Sequence, residues 1–96
     1  MFADHPQPLR IGSLELANPL ILAPLSGISD LPFRLLAKEQ GCALVCTEMI
    51  SAEGLLRNRK ATEKLLQSCP QERPLAAQIF GSRPTSMSEA AKIVED

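Results

Sequence analysis

The chain has 96 residues, a size that fits one small domain. Its composition is 45% hydrophobic and 22% charged with a formal net charge of −1, which excludes intrinsic disorder and gives no general electrostatic pull toward nucleic acid. No apolar run approaches the roughly 20 residues of a membrane-spanning helix. The start, Met1-Phe2-Ala3-Asp4-His5-Pro6, lacks the basic and apolar regions of a secretory signal, so a cytoplasmic location is expected.

Residues 1–8 contain Pro6 and Pro8 and read as an irregular leader. Leu9-Arg10-Ile11 and Leu14-Glu15-Leu16 alternate apolar and polar around Gly12-Ser13, the pattern of a hairpin with a two-residue turn. Leu20-Ile21-Leu22-Ala23, held between Pro19 and Pro24, predicts a short strand buried on both faces. After a loop at Ser26-Gly27-Ile28-Ser29, Asp30 or Ser29 can cap a helix with Pro32 in its first turn. Its apolar face is expected to be Phe33, Leu36 and Ala37, and Gly41 is its stop signal. Ala43-Leu44-Val45-Cys46-Thr47 predicts a second strand. Ser51 to Gln67 then reads as helical, with Leu55, Leu56, Leu65 and Leu66 as its stripe. Leu75-Ala76-Ala77-Gln78-Ile79 predicts a third strand, opened by Pro74 and closed by Gly81. The last helix begins at Ser82-Arg83-Pro84 and places Met87, Ala90, Ala91 and Val94 on one face.

A hairpin followed by three strand–helix units is an α/β pattern that calls for parallel strands with crossover helices. Two architectures fit, a doubly wound open sheet and the N-terminal part of a (β/α)8 barrel. Ala23-Pro24-Leu25-Ser26-Gly27 is neither a dinucleotide fingerprint nor a phosphate-binding Walker loop, which weighs against the first without removing it.

Barrel enzymes work at the C-terminal ends of their strands, which here carry Pro24-Leu25-Ser26, Thr47-Glu48-Met49 and Gln78. Gln78 brings a donor and an acceptor into an apolar strand, which suits the edge of a flavin ring; pairing with neighbouring backbone is the alternative. Pro24, Leu25 and Ser26 either simply turn the chain or give a backbone wall against a flat ligand. Glu48 is expected to bind backbone or an opposite charge, since nothing near it in sequence would make it a general base. Arg57, Arg59, Lys60 and Lys64 are mixed with Glu53 and Glu63 and read as a solvated face, with no aromatic residue to stack on bases. Cys42, Cys46 and Cys69 form no paired spacing, and His5 is the only histidine. Free buried thiols are therefore expected, and no metal site.

Three ordered segments resemble one family. Leu22-Ala23-Pro24-Leu25-Ser26-Gly27-Ile28-Ser29-Asp30-Leu31-Pro32-Phe33-Arg34 is similar to the opening of the tRNA-dihydrouridine synthases, A-P-M-A-G-x-S/T-D-x-P-F-R. Thr47-Glu48-Met49-Ile50-Ser51 resembles that family's T-E-M-V/I-S, and Pro74 to Ser82 its P-x-x-x-Q-I/L-x-G-S. The likeness runs from about Ile11 to Asp96 and is greatest to the bacterial B-type branch. It implies the N-terminal part of a (β/α)8 barrel, about three strand–helix units after the hairpin, with FMN at the top. It also implies reduction of the C5–C6 double bond of tRNA uridines, with NADPH as reductant.

The same resemblance carries FMN contacts onto Pro24, Leu25, Ser26 and Gln78, with Leu25 and Ser26 standing where Met and Ala are commoner. Arg57 and Lys60 follow the second strand and become candidate tRNA phosphate contacts. The family's catalytic cysteine belongs to an N-M-G-C-P motif that this sequence lacks, so none of its three cysteines takes that role. A whole barrel takes about 250 residues. The chain ends at Glu95-Asp96 inside a helical pattern, so it is expected to be one partial, truncated catalytic domain over 1–96. Such a piece is expected to be inactive alone and prone to self-association through open sheet edges. Another FMN barrel oxidoreductase and a non-catalytic remnant are the alternatives.

Overall fold

The computed structural model describes residues 7–95, so most of the predicted leader and His5 lie outside the described residues. A hairpin of β1 (Leu9–Ile11) and β2 (Leu14–Leu16) comes first, in antiparallel register with Arg10 opposite Glu15. Gly12 takes φ 58, which lets the two-residue turn follow the twist of its strands. Leu16 packs on Ala43 and Leu44, so the hairpin lies against the start of the second parallel strand.

Three parallel strands form the sheet, in the order β3 (Ile21–Leu22), β4 (Leu44–Cys46), β6 (Leu75–Ala76). Beyond them β5 (Ile50–Ser51) pairs in parallel with β7 (Ile79–Phe80). The predicted third strand is thus two short pieces, because at Gln78 the backbone N–H donates to the Thr47 hydroxyl instead of to a ladder carbonyl. The two-face burial expected of Leu20 to Ala23 fails in β3, where Ile21 is 43% exposed, whereas Leu44 and Val45 of β4 are buried. β3 is the edge of this sheet, and an edge strand has a neighbour on one side only.

Helix α1 (Leu31–Glu39) starts as expected. Asp30 caps it by accepting from the Phe33 N–H at 3.0 Å, Pro32 lies in the first turn, and Gly41 beyond the end takes φ 108. Its inward face differs from the expected one. Of that face Phe33 and Leu36 are exposed and only Ala37 is half-buried, while Arg34 is 1% exposed and Leu31, Leu35 and Lys38 are half-buried.

The long helix expected over 51–67 is broken. Ser51 caps α2 (Ala52–Arg57) through its hydroxyl, Asn58 leaves helical geometry at φ −139, ψ 65, and α3 (Arg59–Glu63) runs into a 3-10 turn over Lys64–Leu66. A straight helix of that span would be about 25 Å long and would carry Leu65 and Leu66 away from the core. The break returns both leucines to the cluster of Ile50, Ala52, Leu55 and Ala90. Helix α4 (Pro84–Glu95) closes that cluster with Met87, Ala90, Ile93 and Val94; Ala91, expected on this face, is exposed. Among the described residues no helix is long and apolar enough to cross a membrane.

Candidate functional site

Parallel pairing brings the C-terminal ends of β3, β4 and β6 to one edge, and with them Pro24-Leu25-Ser26, Thr47-Glu48 and Gln78. The loop after β3 is tightly built. Leu25 C=O accepts from the Ile28 N–H at 2.9 Å, and Gly27 takes φ 77 at the third position of that turn. A type II turn demands a positive φ there, which an L side chain resists. The Ser29 hydroxyl reaches back, accepting from the Leu25 N–H at 2.8 Å and donating to the Leu25 carbonyl at 3.0 Å. Every polar backbone atom of Leu25 is therefore engaged, while the residue as a whole is 42% exposed.

Two charged residues anchor this turn. Glu48 accepts from the Gly27 N–H at 2.6 Å through Oε1, so its carboxylate binds backbone as expected. Arg34 donates through Nη1 to the Ser29 carbonyl at 2.8 Å and through Nη2 to the Gln67 carbonyl at 2.9 Å. Its Nε and Nη2 also grip Glu72 at 2.8 and 3.1 Å, a two-pronged pair with both side chains out of water. Burial alone would raise the Glu72 pKa. The hydrogen bonds from Arg34 and the Ser68 hydroxyl, with the charges of Arg34 and Arg73, outweigh it and hold the carboxyl below its usual value.

Gln78 lies across the edge from this loop. Its N–H donates to Thr47 Oγ1 at 3.0 Å and its carbonyl accepts from the Ile50 N–H at 2.8 Å. Its side chain is exposed and has no hydrogen-bond partner among the described residues, so the alternative of a glutamine satisfied by nearby backbone does not describe it. A fixed backbone with an exposed amide, at the same edge that exposes Leu25, fits a flat ring with a polar rim.

Arg57 and Lys60 do not join this group. Arg57 ends α2 and pairs with Glu53 at 3.4 Å, and Lys60 is exposed on α3. The Glu53 carboxyl is held below its usual pKa by the neighbouring Ser86 hydroxyl and by Arg57 and Arg83, although its buried Oε1 makes no hydrogen bond. The three cysteines are free and half-buried, and burial pushes the Cys46 thiol up. Among the described residues no cluster of three or more His, Cys, Asp or Glu is placed to hold a metal ion.

The strand-end pattern of the sequence places Thr47 at this edge but does not mark Arg34, Ser29 or Glu72 as parts of it. Arg34 and Ser29 lie inside the first family-like segment, where Arg34 is a lone charge between Phe33 and Leu35. Glu72, 38 residues further on, carried no local signal.

Residues 21–96 match the family described as Dihydrouridine synthase (Dus). The chain is 39% identical over 89 residues to a protein named Probable tRNA-dihydrouridine synthase of Treponema pallidum, covering 93% of this chain and 26% of that one. It is 37% identical over 89 residues to a protein of the same name from Rickettsia bellii, covering 92% and 27%. To tRNA-dihydrouridine synthase B of Pseudomonas aeruginosa it is 37% identical over 84 residues, covering 88% and 25%. The chain spans about a quarter of the length of these curated relatives.

Proposed function

Because the chain belongs to the dihydrouridine synthase family, we propose that it builds one wall of an FMN site in a tRNA-dihydrouridine synthase, as the N-terminal part of a (β/α)8 barrel. The observation that carries this reading is the strand-end edge itself. Pro24, Leu25 and Ser26 lead there into a hydrogen-bonded turn, and Gln78 carries on a pinned backbone an amide that has no partner among the described residues. Pro24 and Leu25 would cover one ring face and keep water from it. Gln78 would read the alternating donors and acceptors of the ring's rim and so set the ring's orientation. When bound, FMN supplies the electrons that reduce the C5–C6 double bond of specific uridines in tRNA, with NADPH as their source.

Of the three thiols, Cys46 belongs to β4, is half-buried and has a raised pKa, which suits packing more than proton donation. This chain also lacks the N-M-G-C-P segment. We therefore assign it a wall of the site and no uridine reduction on its own. tRNA as substrate partner and a cytoplasmic setting follow from the same reading.

The test is a fluorescence titration of FMN with the full-length enzyme and its Gln78→Leu variant. Loss of the amide leaves the ring's rim unsatisfied, which should weaken binding by about 1–3 kcal/mol. Equal affinities would remove Gln78 from the site.

A further inference from the structure

Buried ion pairs are poor sources of net stability, because removing two charges from water costs about as much as their attraction returns. Arg34 and Glu72 are 1% and 0% exposed. Their geometry suggests what the pair does instead. The guanidinium spends two contacts on Glu72 and the others on two backbone carbonyls, Ser29 and Gln67. Ser29 in turn holds both the N–H and the C=O of Leu25 through its hydroxyl. An unbroken chain of hydrogen bonds thus runs from Glu72 through Arg34 and Ser29 to the residue at the centre of the strand-end wall. Glu48 grips the same turn from the other side at Gly27.

We propose that Arg34 and Glu72 are positioning residues for the Leu25–Ser29 turn, holding the wall in its ligand-ready shape without touching the ligand. The proposal deepens the flavin reading and rests on it for the identity of the ligand. A rigid wall needs no ordering when a flat ring binds, so affinity is gained by avoiding that cost. A lysine at position 34 would keep the charge but could not fork between a carboxylate and two carbonyls.

The experiment separates the turn from the fold. In the 96-residue chain, backbone amide exchange is followed at Leu25, Ile28 and Ser29 and compared with Leu44 and Val45 in β4. Arg34→Leu/Glu72→Leu removes both charges together, and Ser29→Ala, a smaller change, removes only the bridging hydroxyl. Both should speed exchange at the turn by about tenfold or more with β4 unchanged. In the full-length enzyme both should weaken FMN by a similar factor, and Arg34→Lys should not rescue it. Unchanged exchange at the turn, or equal acceleration at Leu44 and Val45, would overturn the positioning role. If the turn loosens while neither these variants nor Gln78→Leu alters FMN affinity, the positioning role stands and the flavin reading falls.

Discussion

At the scale of single residues, Glu72 shows how a buried charge ties stability to pH. Its carboxyl titrates below the ordinary glutamate value because Arg34, Ser68 and Arg73 favour the ionised form more than burial disfavours it. A group whose folded pKa is depressed contributes stability that is present above its unfolded pKa, about 4.3 for glutamate, and lost as pH falls through the folded value. Chemical denaturation between neutral and acid pH should therefore show stability falling below the ordinary glutamate range. Glu72→Gln should flatten that acid slope and lower the neutral plateau by about 3–5 kcal/mol, since it strands a buried guanidinium. An unchanged slope in the variant would assign the acid sensitivity elsewhere.

At the scale of elements, the break at Asn58 divides two jobs between neighbouring pieces of chain. α2 buries Ala52 and Leu55 against α4, while α3 stays exposed along its length except for half-buried Thr62. Arg57 and Lys60 sit on either side of the break, exposed, with Arg57 only loosely engaged by Glu53. Were they to contact tRNA phosphates, they would act through charge alone, so their loss would weaken binding without changing which uridine is chosen. Arg57→Gln/Lys60→Gln in the full-length enzyme should lower tRNA affinity and reduce the salt slope by about 1 to 2 phosphate contacts. An unaltered affinity and slope would leave both residues as solvated surface.

At the scale of the whole molecule, several large apolar side chains stay outside its two small cores. Ile21 on the edge strand and Phe33 and Leu36 on the outer side of α1 are exposed together with Leu56 and Phe80. Edge strands with free backbone groups and apolar side chains invite pairing with another chain. Sedimentation of the purified 96-residue chain should accordingly show concentration-dependent association. Ile21→Lys, a charge on the edge strand, should shift it toward monomer, at a modest cost in stability because Ile21 is only partly buried. Monomer at all concentrations for the unaltered chain would show that these faces are harmless.

What could be read from the sequence was what the backbone decides within a few residues. The hairpin at Gly12-Ser13, the Asp30 cap with Pro32 behind it, the stop at Gly41 and the parallel order of three strands all appear where the local signals put them. So does the gathering of Pro24-Leu25-Ser26 and Gln78 at one edge, which follows from parallel strands and nothing else. The inward face of α1 was decided elsewhere. Periodicity assigns a buried face to apolar residues, and it cannot foresee that Arg34 turns inward because a carboxylate 38 residues away neutralises it. The break at Asn58 is of the same kind, since it exists to bring Leu65 and Leu66 back onto a core built from three other elements. Local preference sets φ and ψ one residue at a time, whereas burying a charge or choosing a helix face depends on partners that only the assembled chain brings together.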